Sequence, residues 1–148
     1  MALLEVLTND MKEAMKARAA ERLNTIRLLI SDLKTERINK MRDLTPEDEL
    51  DFLSRQAKRR RESIESFDAN DRPELAAIER AELAVIETYL PKQLSVDEVR
   101  EIITATIAEL GVTSKKEVNK LMAPLMAKLK GRFPGKDVKP LVESILPE

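Results

Sequence analysis

The strongest concentration of chemistry-bearing residues is a basic, glycine-containing turn near the C-terminus. Between positions 128 and 139 it holds five Lys or Arg residues, one Asp and two of the three glycines in the chain. An apolar-periodic segment, 138–146, follows and reads as a helix, so free backbone N–H groups and cationic side chains would converge at the helix start. This pattern is typical of a phosphate-binding surface, here formed by Lys128, Lys130, Gly131, Arg132, Gly135, Lys136 and Lys139. From the residues alone, ordinary helix capping is the favoured interpretation, because Gly and Lys are common at helix ends.

Two other charged groups favour a structural interpretation. The basic run 58–61 spreads over most of a helix circumference, because successive helical residues step by about 100°. Arg60 falls on an apolar stripe, so we expect its stem to pack there while its head reaches a carboxylate of a neighbouring helix; a nucleic-acid contact is the alternative. Glu79 and Glu82 share a helix face, where a solvated surface is favoured over a metal or acid–base site.

Composition and missing motifs exclude several classes of protein. The chain has no Cys and no His, which removes disulfides, thiolate chemistry and the commonest general base. It also has no Gly-x-Ser-x-Gly, no nucleotide phosphate loop and no paired-histidine motif. We therefore expect no catalytic residue, no metal site and no cofactor. No apolar run approaches the roughly 20 residues of a membrane span, and the N-terminus has no export signal, so we predict a cytoplasmic protein with no membrane partner.

Hydrophobic periodicity predicts an all-α fold, with about four helices in the N-terminal part of the chain. The first helix begins almost at the N-terminus, and the second runs to about Met41. Thr45 and Asp48, around Pro46, form an N-cap signature that opens the third helix, and the fourth starts at or near Pro73. Methionines at helical spacing are interpreted as core residues, namely Met11, Met15, Met41, Met122 and Met126.

The segment around Pro91 is the predicted domain boundary, because proline disfavours helix at the preceding residue. We predict an N-terminal helical domain at 1–91 and a small three-helix domain at 92–148. Capping boxes at Ser95 with Glu98 and at Ser114 with Glu117 are expected to open the first two helices of the second domain. Gly111 is placed to end the first of them, and Pro124 is expected to kink the second or to free a backbone carbonyl.

Motifs along nearly the whole chain resemble the YqeY-like (GatB/YqeY) family. They are Asn24–Leu29, Lys58–Ile64 leading to Phe67 and Arg72, Ala81–Leu83, Tyr89–Leu94, and the Lys-Gly-Arg-x-x-Gly-Lys turn at 130–136. The C-terminal half of this family is similar to the tail domain of the B subunit of the glutamine-dependent Asp/Glu-tRNA amidotransferase. Pro134 departs from the family pattern, which often has a small or acidic residue at that position.

The resemblance implies an all-α protein of two helical domains whose C-terminal domain contacts tRNA through Gly131, Gly135 and Lys136, with Arg132 and Lys139 beside them. It also implies a family label of carbon–nitrogen ligase with glutamine as amido-N-donor, although no residues here correspond to such a site. We therefore expect a tRNA-binding accessory protein. The alternative is a helical adaptor that binds another protein, such as a component of the aminoacylation or amidotransferase machinery, through an apolar groove.

Overall fold

The computed structural model describes residues 2–148, which form seven α-helices and two short 3-10 turns and contain no strand. The all-α prediction is confirmed. The chain divides into two compact units, Met1–Leu90 and Pro91–Glu148, called here the N-terminal and C-terminal units. None of the helices in the described residues is long and apolar enough to cross a membrane.

The N-terminal unit consists of four helices that share one apolar core. They are α1 (Leu3–Lys16), α2 (Ala20–Lys40), α3 (Pro46–Ala69) and α4 (Pro73–Glu87). The fully buried core side chains include Leu7, Ile26, Leu29, Phe52 and Ile86. After α4, the hydroxyl of Tyr89 donates to Asp10 Oδ2 of α1 at 2.6 Å, and burial together with this carboxylate raises the pKa of Tyr89. This bond ties the end of the unit to its first helix.

The predicted cap of α3 is a complete capping box. The N–H of Asp48 donates to Thr45 Oγ1 at 3.1 Å, and the N–H of Thr45 donates to Asp48 Oδ2 at 2.9 Å. The carboxylate of Asp48 also pairs with Arg42 and with Lys40. The Arg42 guanidinium and then the Thr45 N–H hold the pKa of Asp48 well below its usual range.

Arg60 lies in a buried polar network between α3 and α4, as the sequence predicts. The residue is 8% exposed, and its Nε donates to Glu82 Oε2 at 3.1 Å while a second guanidinium nitrogen donates to Gln56. Glu79 lies 4.0 Å from the same Nε. Burial, and then the neighbouring Glu82, raises the pKa of Glu79. The two glutamates therefore bind a structural cation of the chain itself.

The C-terminal unit consists of α5 (Val96–Leu110), α6 (Val118–Leu129) and α7 (Val138–Ile145), with 3-10 turns at Lys115–Glu117 and Gly135–Asp137. Its core is formed by Val99, Ile103, Leu121, Leu125, Leu129, Val138 and Val142. Gly111 ends α5 in the left-handed region at φ 67°, as predicted. The helix α6 continues past Pro124 to Leu129.

The second predicted capping box of this unit is wrong. Ser114 makes no side-chain cap, a 3-10 turn follows it, and Glu117 instead accepts from Thr113 Oγ1 at 3.0 Å. The N–H of Lys115 donates to the carbonyl of Pro147 at 2.9 Å, so a long-range contact determines how the chain enters α6. The capping box at Ser95 is half formed. The Glu98 N–H donates to Ser95 Oγ, but the Glu98 carboxylate accepts from the Ser95 hydroxyl and not from the Ser95 N–H.

The methionine prediction is correct for three residues and wrong for two. Met11, Met122 and Met126 are partly buried against the two cores. Met15 is 51% exposed and Met41 is 91% exposed. Both exposed residues lie at the C-terminal end of a helix, in its last turn or just after it, where the surrounding helices do not cover their side chains.

Candidate nucleic-acid interface

The basic turn joins α6 to α7, and its two glycines have different roles. Gly131 adopts the left-handed conformation at φ 74°, and the following N–H of Arg132 returns to the carbonyl of Leu129 at 2.9 Å. Gly135 does not have a positive φ; a Cβ there would lie 3.2 Å from Met126 Cε. One glycine therefore permits the reversal of the chain, and the other permits close packing on α6.

The turn is held by the segment 91–94, called here the linker segment. The N–H of Leu94 donates to the carbonyl of Arg132 at 2.8 Å. The side-chain amide of Gln93 donates to the carbonyl of Gly131 at 2.7 Å and to that of Pro91 at 3.0 Å. In return, Arg132 Nε donates to the carbonyl of Lys92 at 3.4 Å. Four hydrogen bonds thus form around the turn, and three of them join it directly to the linker segment.

Lys128 is directed toward α5. Its Nζ donates to Glu109 Oε2 at 2.8 Å and to Thr106 Oγ1 at 3.0 Å. Thr106 is fully buried, and its hydroxyl donates to the carbonyl of Ile102. Because Glu109 offsets its charge and Thr106 orients it, Lys128 contributes to packing between two helices and adds little to the positive potential of the turn.

The other predicted residues stay at the turn and differ in exposure. Lys130, Gly131 and Arg132 are half-buried, and Gly135, Lys136 and Lys139 are exposed. Lys92 is also exposed, and its backbone lies beside Arg132. The structure thus brings the predicted turn residues together and adds Lys92, which sequence reasoning missed. The only indication of Lys92 in the sequence was its position inside the motif Tyr89–Leu94. The hydrogen bond that joins its carbonyl to Arg132 spans 40 positions, so neighbouring residues do not reveal it.

The fold and the turn define a class: a helical protein of two units whose smaller unit presents a braced basic turn. The family described as Yqey-like protein matches residues 4–146, so the chain belongs to the YqeY-like family. This confirms the family resemblance that the sequence motifs indicated.

Curated relatives carry the name "Altered inheritance of mitochondria protein 41, mitochondrial". The Candida glabrata protein is 30% identical over 145 residues, covering 97% of this chain and 79% of the relative. The Lachancea thermotolerans protein is 30% identical over 134 residues, covering 90% of this chain and 63% of the relative. The protein of Saccharomyces cerevisiae strain YJM789 is 28% identical over 131 residues, covering 84% and 70%.

These names overturn the cytoplasmic prediction, because the relatives are mitochondrial by name and point to that compartment. The prediction rested on the lack of an export signal and of a spanning apolar run. Neither feature bears on mitochondrial import, which uses amphipathic, Arg-rich and acidic-poor segments.

Proposed function

We propose that this member of the YqeY-like family is a tRNA-binding accessory protein whose basic turn contacts the phosphate backbone. The observation that carries the proposal is the braced turn: the linker segment fixes the backbone at Gly131 and Arg132 by direct hydrogen bonds. Pre-organisation lowers the ordering cost of binding. Around this backbone, Lys92, Lys136 and Lys139 are exposed and Arg132 is half-buried.

Recognition of phosphates and helix shape fits these residues better than recognition of bases. The chain has no Trp, one Tyr and three Phe, and its described residues form no β-sheet on which bases could stack. Lys and Arg contacts to phosphates contribute binding affinity that does not depend on the nucleotide sequence and that weakens steeply with salt. Double-stranded RNA is recognised mostly by such contacts and by shape, which makes the helical arms of tRNA the proposed target.

The same proposal includes two further points. The C-terminal unit is similar to the amidotransferase tail, and the protein acts beside aminoacylation or amidotransferase components. The residues around the turn offer cationic side chains, which bind anions and position them. We therefore propose binding, and not amide transfer, as the activity of this chain.

Binding of bulk tRNA at about 50 and about 200 mM salt tests this function, with a triple variant in which Arg132, Lys136 and Lys139 are changed to Ala. The matched control changes Lys115, Lys116 and Lys120 to Ala, which removes the same charge from the same unit at the opposite end of α6. If three phosphates are contacted, raising the salt concentration from the lower to the higher value would weaken binding roughly 20- to 40-fold.

We expect the turn variant to lose most of this salt dependence and the control to retain it. Equal losses in the two variants would show a diffuse charge effect and would contradict a site at the turn. Absence of binding at low salt would reject the proposal. Salt-insensitive binding of a protein would favour the helical adaptor.

A further inference from the structure

Two large apolar side chains at the end of α2, Ile38 and Met41, are exposed. Ile38 is 72% exposed and Met41 is 91% exposed, the two highest values among the exposed large hydrophobic residues of the described chain. They lie three positions apart at the C-terminal end of α2, and both side chains line the same open depression. Leu4 of α1 lines it as well. We call Leu4, Ile38 and Met41 the α2-end surface.

Methionine is an unusual residue at position 41, because neither burial nor the backbone conformation there favours it. Met41 follows α2 in the left-handed conformation, at φ 55°. Glycine or asparagine is the usual residue at such a position, because a larger side chain is disfavoured there. Methionine at this site thus gains neither burial nor a relaxed backbone. Its side chain is available for a contact outside the core.

Three cations, Lys34, Arg37 and Arg42, line the same depression together with one acidic residue, Asp43. A fourth cation, the exposed Lys40, directly precedes Met41 in the chain. Asp43 pairs with Arg37 at 2.7 Å, while Lys40 and Arg42 share the single carboxylate of Asp48. In the part of the chain that the structure describes, no carboxylate pairs with the exposed Lys34. Four cations therefore face two carboxylates. The helix dipole accounts for basic residues in the last turn of α2, but it does not account for the apolar pair between them.

We propose that the α2-end surface is a peripheral docking site for an anionic lipid surface. Apolar side chains beside Lys and Arg suit the membrane interface, where they enter the headgroup region while the cations meet phosphates. A side chain as exposed as Met41 protrudes, and a deformable lipid interface accommodates it without a shaped partner groove. This association needs no spanning helix, and the lack of a spanning run was the reason for predicting no membrane partner.

Flotation of the full chain with vesicles tests the proposal. The probes are phosphatidylcholine vesicles and the same vesicles with about 30 mol% cardiolipin, at low and at high salt. The test variant combines Ile38→Asp and Met41→Asp. The matched control combines Ile78→Asp and Met15→Asp, which makes the same chemical changes at exposed positions of the same unit.

We expect binding to the anionic vesicles alone, weakened by salt, and reduced at least about ten-fold in the test variant but not in the control. Lys34→Ala should weaken binding by roughly five-fold, because each cation near an anionic surface contributes to that extent. Lys12→Ala, an exposed lysine of α1, is the control for that change. No vesicle binding, binding independent of lipid charge, or equal losses in the two double variants would overturn the proposal. In the first of these cases an acidic protein segment becomes the preferred occupant.

Discussion

The side-chain amide of Gln93 donates to the carbonyl of Gly131 at 2.7 Å, across 38 positions of the chain. The same nitrogen also donates to the carbonyl of Pro91 at 3.0 Å, so one amide group closes the linker segment on itself and fastens it to the basic turn. Gln93 is half-buried and is uncharged. The geometry of a cationic surface therefore depends on a neutral residue outside it.

Replacing Gln93 by Ala is expected to loosen the turn. Two carbonyls lose their donor, which costs about 1–2 kcal/mol of the free energy of unfolding of the C-terminal unit. Hydrogen exchange at the N–H of Leu94, which donates to Arg132, should accelerate in this variant. Asn119→Ala, at an exposed position of α6, is the control. Unchanged exchange at Leu94 would show that Gln93 does not brace the turn.

The two glycines of the turn should respond differently to substitution by Ala. Gly131→Ala forces a side chain into the left-handed region at φ 74° and should destabilise the protein by about 1 kcal/mol or more. Gly135→Ala meets only the flexible end of Met126, so its effect should be smaller. Denaturant unfolding of both variants checks this order, and a reversal would contradict the different roles assigned to the glycines.

The two glutamates beside Arg60 should also differ. Glu82→Gln weakens the closer of the two charged contacts of the buried Arg60 guanidinium. It should lower the free energy of unfolding by about 1–3 kcal/mol. The raised pKa of Glu79 means that its ionised form is less favourable in the folded than in the unfolded state, so ionised Glu79 opposes folding at neutral pH. This penalty decreases as the pH falls through the folded-state pKa and is absent below the unfolded-state pKa.

Glu79→Gln should accordingly leave stability unchanged or raise it at neutral pH. Thermal unfolding of the two variants side by side measures the contrast. A larger loss for Glu79→Gln than for Glu82→Gln would show that Arg60 depends mainly on Glu79.

Asp48 should make stability depend on acid pH. Its pKa is lowered in the folded state, so its contribution is complete above the unfolded value of about 3.9 and is lost as the pH falls from there toward the folded value. Asp48→Asn should be less stable at neutral pH and should lose less stability on acidification.

The matched control for Asp48→Asn is Asp43→Asn. The ion pair of Asp43 with Arg37 is short, but both side chains are mostly exposed, so its contribution should be below about 1 kcal/mol. Melting temperatures of both variants between neutral pH and about pH 3 check the prediction. Equal effects of the two substitutions would contradict a special role for Asp48.

Helix starts that depend on neighbouring residues were predictable from the sequence, and contacts between distant segments were not. Thr45 and Asp48 are three positions apart, so the residues alone define their capping box. Ser114 and Glu117 show the same spacing, but the N–H of Lys115 bonds Pro147, near the end of the chain, and the box does not form. Local spacing decides a cap only where no tertiary contact competes.

The candidate site was predictable in the same partial way. Clustered cations and glycines identified the turn, because these residues are neighbours in sequence. The engagement of Lys128 with Glu109 depends on how α5 packs against α6, which periodicity does not describe. Met41 shows the same limit, because spacing records that a residue is apolar but not whether another helix covers it.

The bond between Tyr89 and Asp10 has a practical consequence for spectroscopy. Tyr89 is the single tyrosine in a sequence without tryptophan, so it is the principal source of intrinsic fluorescence. A phenol bound to a carboxylate within the N-terminal unit should change its emission when that contact breaks. Tyrosine fluorescence will then follow the opening of the N-terminal unit. The C-terminal unit contains no tyrosine, so its melting is followed by circular dichroism or calorimetry.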